Sequence, residues 1–489
     1  MTEAAFERAR LSRDARFDGR FFVGVKTTGI YCRPICPATP PKSENVEFFP
    51  TAAAASEAGF RPCLRCRPEC APGTPAWAGT STTVSRGLRL IAEGALEDGN
   101  VERLADRLGV TSRHLRRLFT RHVGASPLAV AHTQRLHFAK RLIDQTTMAM
   151  QEIALVAGYG SVRRFNDAFR QTYGRSPREL RRKNDVRASD RRSGITLRIS
   201  YRTPFDWDSL LGFFAARAIP GVEQINDDTW SRTIVLDDQP GIIEVRNDAG
   251  TNSLELTVHG AATQQLFEIV QRTRQIFDVD APVDAIASVL GKDTVLETLQ
   301  QQTPGLRVPG AWSGFELTVR AIVGQQVSVA AATTLAGRIA ERYGTPARVE
   351  LGRDAAIPTT LFPTPEKLMR ARFNDMGLVG SRIETIRRVA GAVARGALTF
   401  EGSQDHDEFC RQLTAIRGIG EWTAEYIAMR ALKHPDAFPA SDLGLLRAFD
   451  EPGQPRMKPA ELKARAEAWR PWRSYAALLL WSRAPGSGG

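Results

Sequence analysis

The polarity of the chain changes period near residue 195. Ile195-Thr196-Leu197-Arg198-Ile199-Ser200-Tyr201 alternates apolar and polar residues, and so does Ser253-Leu254-Glu255-Leu256-Thr257-Val258. A two-residue repeat is what a strand with one face in a core requires. Thr233 to Leu236 and Ile242 to Val245 predict further strands, and Trp207 to Ala218 predicts a helix among them. From about Gln264 onward helices dominate, as they do between residues 82 and 183. Two stretches interrupt the pattern. Residues 71–83 are rich in Pro, Gly and Thr, and residues 181–194 are charged with almost no apolar side chain; both read as linkers. No solenoid repeat is present. The breaks predict a multidomain, mainly α protein: a small Cys-rich domain (1–75), an all-α domain (82–183), and from residue 195 a strand-bearing part followed by helices to about 485.

Composition fits this division. The 489 residues are 42% apolar and 25% charged, an ordinary globular balance that excludes wholesale disorder and fibrous repeats. No apolar run approaches the ~18 residues that span a bilayer, and the N-terminus lacks a basic segment followed by an apolar one. The expected compartment is the cytoplasm, with no membrane partner. The formal net charge is +12, which predicts a polyanionic partner. It is unevenly placed: residues 1–194 hold 33 basic and 19 acidic side chains, the remainder 33 and 35.

Four cysteines read Cys32-x3-Cys36-x26-Cys63-x2-Cys66. Two tight pairs separated by a gap suit one tetrahedral Zn²⁺ held by four thiolates. A segment this short buries little apolar surface, so bound metal would supply much of its folding energy. On spacing alone a structural zinc module is the commoner kind. Cys70 reads as a spare thiol, Cys410 as a small core residue, and Asp405-His406-Asp407 as a solvated loop.

Val25-Lys26-Thr27-Thr28-Gly29-Ile30-Tyr31-Cys32-Arg33-Pro34 and Gly59-Phe60-Arg61-Pro62-Cys63-Leu64-Arg65-Cys66 resemble the N-terminal domain of the Ada family. The resemblance implies that Cys32 is a zinc-bound nucleophile that irreversibly accepts a methyl group from a DNA methylphosphotriester. It also implies that Thr28 and Arg61 contact the DNA backbone. The family often has Arg three residues after the second cysteine; here Thr39 stands there, with Lys42 nearby. Zinc keeps a thiolate deprotonated at neutral pH. A four-thiolate site carries net −2, and methylation removes one negative charge, easing repulsion from phosphates.

Residues 101–119 and 153–169 each read as a helix-turn-helix, with Ala105 allowing close approach, Gly109 at the turn and Ser112 as the cap of the second helix. Arg113, Arg116, Arg117, Arg163 and Arg164 decorate the second helices and are placed to meet DNA. The tail Phe169-Arg170-Gln171-Thr172-Tyr173-Gly174-Arg175-Ser176-Pro177 resembles the AraC-type regulators. That resemblance implies transcription activation, with promoter DNA and RNA polymerase as partners.

In the C-terminal half, Ile416-Arg417-Gly418-Ile419-Gly420-Glu421-Trp422-Thr423 joins two helices through a Gly-x-Gly turn, a helix-hairpin-helix whose amides can grip a phosphate. With Phe438-Pro439-Ala440-Ser441-Asp442 downstream, the segment resembles the AlkA-type 3-methyladenine DNA glycosylases over about residues 195–485, which implies an α+β subdomain with an antiparallel sheet at 195–280 and an all-α helix-hairpin-helix domain at 281–485. The resemblance makes Asp442 the catalytic carboxylate. Trp422, Tyr426 and Trp481 would be the base pocket rather than ordinary core aromatics. Gly418, Gly420 and Thr423 would grip DNA, with a monovalent cation at the hairpin carbonyls. Gln326 falls where the family commonly inserts a Leu wedge. Trp422 falls where lyase-type relatives hold a Schiff-base Lys, so a monofunctional glycosylase is expected. The whole chain resembles an Ada–AlkA fusion of the adaptive response, acting as a monomer on damaged and promoter duplexes. Two other readings share these domains: a glycosylase whose N-terminal half only tethers it to DNA, and a regulator with an inactive glycosylase half.

Overall fold

The structure is a computed structural model that describes residues 2–72, 82–96, 99–181, 194–349, 357–400, 404–450 and 455–483. Most of both expected linkers, residues 73–81 and 182–193, lies outside the described residues. The chain divides into two compact units. One contains Met1–Arg202 with Ala249–Leu256 and Gln264–Gln271; the other contains the rest.

The first unit opens on a four-stranded sheet in the order β3-β1-β2-β4, with β1 at Phe22–Val25, β2 at Ile30–Cys32, β3 at Val46–Phe49 and β4 at Arg61–Pro62. β1 runs antiparallel to β2 and β3, and β2 pairs parallel with β4. The β1–β2 turn needs a left-handed residue, and Gly29 supplies it at φ +64°. This pairing sets Cys32 opposite Val23 at the end of β2.

Two helix-turn-helix pairs follow. Helices Val101–Arg107 and Ser112–Val123 form the first, Met150–Val156 and Val162–Tyr173 the second, and the long helix Pro127–Gln145 lies between them in sequence. The turns pass through Gly109 (φ +69°) and Gly158 (φ +75°). The cap of the first recognition helix is Thr111, one residue before the expected Ser112: its hydroxyl accepts the His114 N–H at 3.2 Å. Thr111 is extended and Ser112 already helical, which gives the capping position to Thr111. Ser161 caps the second recognition helix in the same way.

Sheet and helices share one hydrophobic core, in which Phe22, Tyr31 and Phe49 join Leu90, Leu104, Leu115 and Phe119. Polar ties cross the same boundary. The Tyr31 hydroxyl lies 2.9 Å from His137 Nε2, and the Thr51 hydroxyl donates to the Val123 carbonyl at 3.0 Å. Buried Asp144 pairs with Lys140 at 2.5 Å and with Arg67 at 2.7 Å.

The four strands expected after residue 195 form, as β5 (Ile195–Ser200), β7 (Thr229–Leu236), β8 (Gln239–Asp248) and β9 (Ser253–Gly260), and a further strand not read from the sequence, β6 (Glu223–Asn226), precedes β7. Within the second unit β6, β7 and β8 make an antiparallel meander, with Trp230 opposite Val245. The helix Trp207–Ala215, capped by Asp206, brings Phe214 against Trp230 and Phe277. Helices then build the rest of the unit. Gly314–Val323 is buried over most of its length, and Glu421–Arg430 follows the hairpin.

Candidate functional site

Cys32, Cys36, Cys63 and Cys66 converge: their four sulfurs all lie within 4.8 Å of one another. Cys32 ends β2, while Cys63 and Cys66 follow the parallel strand β4, so the β2–β4 ladder draws the two pairs together. Backbone N–H groups support the sulfurs, Arg33 donating to Cys66 at 3.3 Å and Arg65 to Cys63 at 3.4 Å. Arg33 also grips Asp18 with its Nε at 2.8 Å and donates to the Cys66 carbonyl at 3.2 Å, which fixes the loop after Cys32. Such crowding of four soft donors fits one tetrahedral Zn²⁺. Cys70 stands outside the group. Thr28, Arg61 and Lys42 are all exposed, as a DNA contact requires.

The recognition helices present a buried and a charged side. Leu115 and Phe119 are buried on one, Phe165 and Phe169 on the other. Arg113, Arg116, Arg117, Arg163 and Arg164 are exposed. Several are held lightly: Arg116 meets Glu102 at 3.3 Å, Arg117 meets His114 at 3.1 Å, and Arg163 meets Asp167 at 3.9 Å. Exposed pairs of this kind contribute little and exchange readily for phosphate.

In the second unit a cleft of about 480 Å³ brings together Trp422, Tyr426, Asp442 and Trp481. Asp442 caps the short helix Leu443–Arg447 through Oδ1, which accepts the Leu445 N–H at 3.0 Å. The same oxygen accepts the Trp481 indole N–H at 2.9 Å, and Oδ2 accepts that of Trp422 at 2.7 Å. Trp422 and Tyr426, one turn apart on the helix Glu421–Arg430, stack with ring centroids 5.3 Å apart and planes 8° from parallel. Trp481 meets Tyr426 edge-on at 6.4 Å.

The hairpin precedes that helix. Gly418 sits at φ +101°, and a Cβ there would meet Thr385 Oγ1 at 2.0 Å. Gly420 begins the helix Glu421–Arg430 without a side-chain cap, and a Cβ there would meet open space. Its exposed position leaves the first helical N–H groups free for a phosphate. The Thr423 side chain is turned inward, 3% exposed, and accepts Gln325 Nε2 at 3.3 Å. The DNA grip expected of Thr423 would therefore fall to its backbone. Gln325 Nε2 also donates to the Gly418 carbonyl at 3.0 Å, linking the hairpin to the loop that carries Gln326. Gln326 is exposed on that loop at φ +56°.

Arginines behind Tyr426 had no assigned role from sequence. Arg430 donates to the Tyr426 hydroxyl at 2.6 Å and to the Pro309 and Gly310 carbonyls at 3.0 Å each. Burial would raise the Tyr426 phenol, but Arg430, Arg217 and Arg320 outweigh it and hold the group below its ordinary value. Arg217 and Arg320 lie inside the span of about residues 195–485 that resembles the glycosylases, but nothing local to them signals that they converge on Tyr426.

His406 also departs from expectation. It begins the helix His406–Thr414, capped by Asp405, and is partly buried rather than in a solvated loop. Its Nε2 lies 3.0 Å from Glu425 Oε2 and its Nδ1 2.9 Å from Asp407 Oδ1. Burial lowers its basicity, but bonds to Cys410 and Glu425 win and push it up to about 11. Cys410, expected as a core residue, is only partly buried and faces His406 Nε2 at 3.7 Å.

Four family profiles match consecutive parts of the chain. They are the metal binding domain of Ada at residues 5–69, a helix-turn-helix domain at 104–183, the AlkA N-terminal domain at 196–313 and the HhH-GPD superfamily base excision DNA repair protein at 319–474. A probable bifunctional transcriptional activator/DNA repair enzyme AlkA of Mycobacterium tuberculosis is 41% identical over 97% of this chain and 95% of its own. The DNA-3-methyladenine glycosylase 2 of Escherichia coli is 32% identical over 58% of this chain and 95% of its own. Among solved structures, a 3-methyladenine DNA-glycosylase from Archaeoglobus fulgidus matches 58% of this chain and 96% of its own at a TM-score of 0.51 and 22% identity, a likeness of fold. Among the described residues no helix is long and apolar enough to cross a membrane. An Ada-type metal domain, a helix-turn-helix regulator and a two-part AlkA-type glycosylase thus follow one another in a single polypeptide, and the chain belongs to the family of bifunctional transcriptional activator/DNA repair enzymes AlkA.

Proposed function

We propose that the chain answers DNA alkylation twice, sensing methylphosphotriesters at Cys32 and excising alkylated purines at Asp442. The observation that carries the second half is the carboxylate of Asp442, held by three N–H donors in the lining of an aromatic cleft. An N-alkylated purine is cationic and takes the electron pair of its glycosidic bond as it leaves. The sugar is left oxocarbenium-like, and Asp442 stabilises it or orients the water that adds to it, whose second proton passes to solvent. The flipped base lies against Trp422 and Tyr426, where an electron-poor ring stacks well. Trp422 offers no amine, so no Schiff base forms and the product is an abasic site. Gly418 and Gly420 grip a phosphate through backbone amides, and Gln326 fills the gap the base leaves. The Gly418 carbonyl keeps one lone pair beside Gln325 for a monovalent cation.

In the first unit Cys32, Cys36, Cys63 and Cys66 would hold Zn²⁺, which would keep the Cys32 sulfur in its thiolate form. That sulfur attacks the methyl carbon, an S–C bond replaces the C–O bond, and the phosphate leaves as an ordinary diester. Thr28 and Arg61 hold the backbone near the lesion. Loss of one negative charge raises affinity for DNA, and the arginines of the two recognition helices then hold promoter DNA. Two recognition helices in one chain reach two stretches of major groove without a second copy, which supports action as a monomer; RNA polymerase is the partner an activator requires. The cytoplasm, at the nucleoid, is where these substrates lie.

Two substitutions test the division. With methylated duplex DNA, Asp442→Asn is expected to lose base release while keeping methyl transfer to protein, and Cys32→Ala the reverse. Undiminished base release from Asp442→Asn would overturn the catalytic assignment, and methyl uptake by Cys32→Ala would overturn the acceptor.

A further inference from the structure

His406 and Cys410 are four residues apart on the helix His406–Thr414 and so leave it on one face. Glu425, on the second hairpin helix Glu421–Arg430, meets them there. His406 Nε2 lies 3.0 Å from Glu425 Oε2 and 3.7 Å from Cys410 Sγ. All three donor atoms fall within 4.8 Å of one another, the same closeness that unites the four cysteines of the first unit. Nitrogen, oxygen and sulfur bound to one tetrahedral zinc ion stand about 3.3–3.6 Å from each other, given its usual bond lengths. The nitrogen–sulfur separation is near such an edge, and the nitrogen–oxygen separation is a few tenths of an ångström shorter.

The surroundings are those of a ligating imidazole. Nδ1 of His406 faces the Asp407 carboxylate at 2.9 Å, the outer partner that fixes a metal-bound histidine with Nε2 turned to the ion. The His434 ring stacks on His406 at 4.5 Å and covers one side. Glu425 Oε2 accepts the Phe438 N–H at 2.9 Å, which fixes the carboxylate. An imidazole, a thiolate and a carboxylate together suit a borderline-soft divalent ion, zinc before magnesium or calcium.

We propose that His406, Cys410 and Glu425 form a second zinc site, distinct from the four-cysteine centre, which clasps the two helices of the hairpin. Coordination releases the imidazolium proton and the thiol proton as the divalent ion enters, so the net charge of the group is unchanged. Water completes the tetrahedron. Glu425 immediately precedes Tyr426, and the clasp joins the two helices on either side of the Gly418–Gly420 turn, so it fixes the angle at which the hairpin meets DNA.

Zinc content of the full-length protein, equilibrated with low free zinc and read by elemental analysis and native mass spectrometry, tests this. Two ions per chain are expected. Cys410→Ser, a near-isosteric change, and Glu425→Gln, which can still accept the Phe438 N–H, are each expected to retain one, and Cys36→Ser is expected to keep the hairpin ion while weakening the other. One zinc per wild-type chain overturns the proposal whatever the variants do. Two ions undiminished in both Cys410→Ser and Glu425→Gln overturn it as well.

Discussion

Trp422 donates its indole N–H to Asp442 Oδ2 at 2.7 Å, so a wall of the cleft and the carboxylate it faces are one bonded unit. Trp481 does the same to the other oxygen at 2.9 Å. The indoles that line the cleft therefore also aim Asp442, twenty residues from one and thirty-nine from the other in sequence.

Trp422→Phe keeps an aromatic surface and removes that donor. A hydrogen bond to a charged acceptor contributes about 1.5–3 kcal/mol, so the rate of base release under single-turnover conditions should fall about 10- to 100-fold. Binding to DNA containing an abasic site should change little. A loss confined to binding would mean that Trp422 only stacks.

The two hairpin glycines should behave differently. Gly418→Ala forces a Cβ into Thr385 at a left-handed position and should cost about 2–4 kcal/mol of stability. Gly420→Ala meets open space and should stay within about 1 kcal/mol of wild type, yet it places a methyl group between helix amides and phosphate and should weaken DNA binding severalfold. Thermal denaturation and DNA titration of both variants separate the effects.

His137, bonded to Tyr31 beside Cys32, should make the first unit sensitive to acid. Burial, and then Arg141, lower this imidazole to about 3. Above its ordinary value near 6.5 it is neutral folded or unfolded and adds no pH dependence. Between 6.5 and about 3 only the unfolded chain takes the proton, so stability falls as pH falls, by at most about 1.4 kcal/mol per pH unit. Urea midpoints of wild type and His137→Gln should converge as pH is lowered from 7 to 5; parallel curves would contradict the assignment.

Much of this was legible along the chain, and the divisions between legible and hidden follow sequence distance. Cys32, Cys36, Cys63 and Cys66 announce themselves because a metal fixes their spacing, and Gly418 because a turn fixes its φ. The alternation at β5 and β9 survives because one strand face is buried. The Tyr31–His137 bond joins residues 106 apart and leaves no periodic trace, so the shared core of metal domain and helix-turn-helix was hidden. Thr423 follows the hairpin glycines where the resemblance puts a DNA contact, but its side chain is turned inward to Gln325, 98 residues earlier. His406 lies between two aspartates and reads as surface until Glu425 is brought against it. Thr111 and Ser112 are both good caps, and only the backbone chooses between them.

Salt should separate the two halves of DNA binding. The first 194 residues carry the basic excess, while the rest is near neutral. Each exposed recognition-helix arginine that meets a phosphate should contribute about one unit to the slope of log affinity against log salt. Arg116→Ala with Arg164→Ala should flatten promoter binding by about two units and leave the salt response of abasic-site binding unchanged.

The most direct test is to incubate the wild-type protein with methylated duplex DNA and measure, in one sample, intact-protein mass and released bases. The account predicts a single methyl group mapped to Cys32 together with free alkylpurine. Protein without the methyl group, or DNA without base release, would contradict a chain that performs both chemistries.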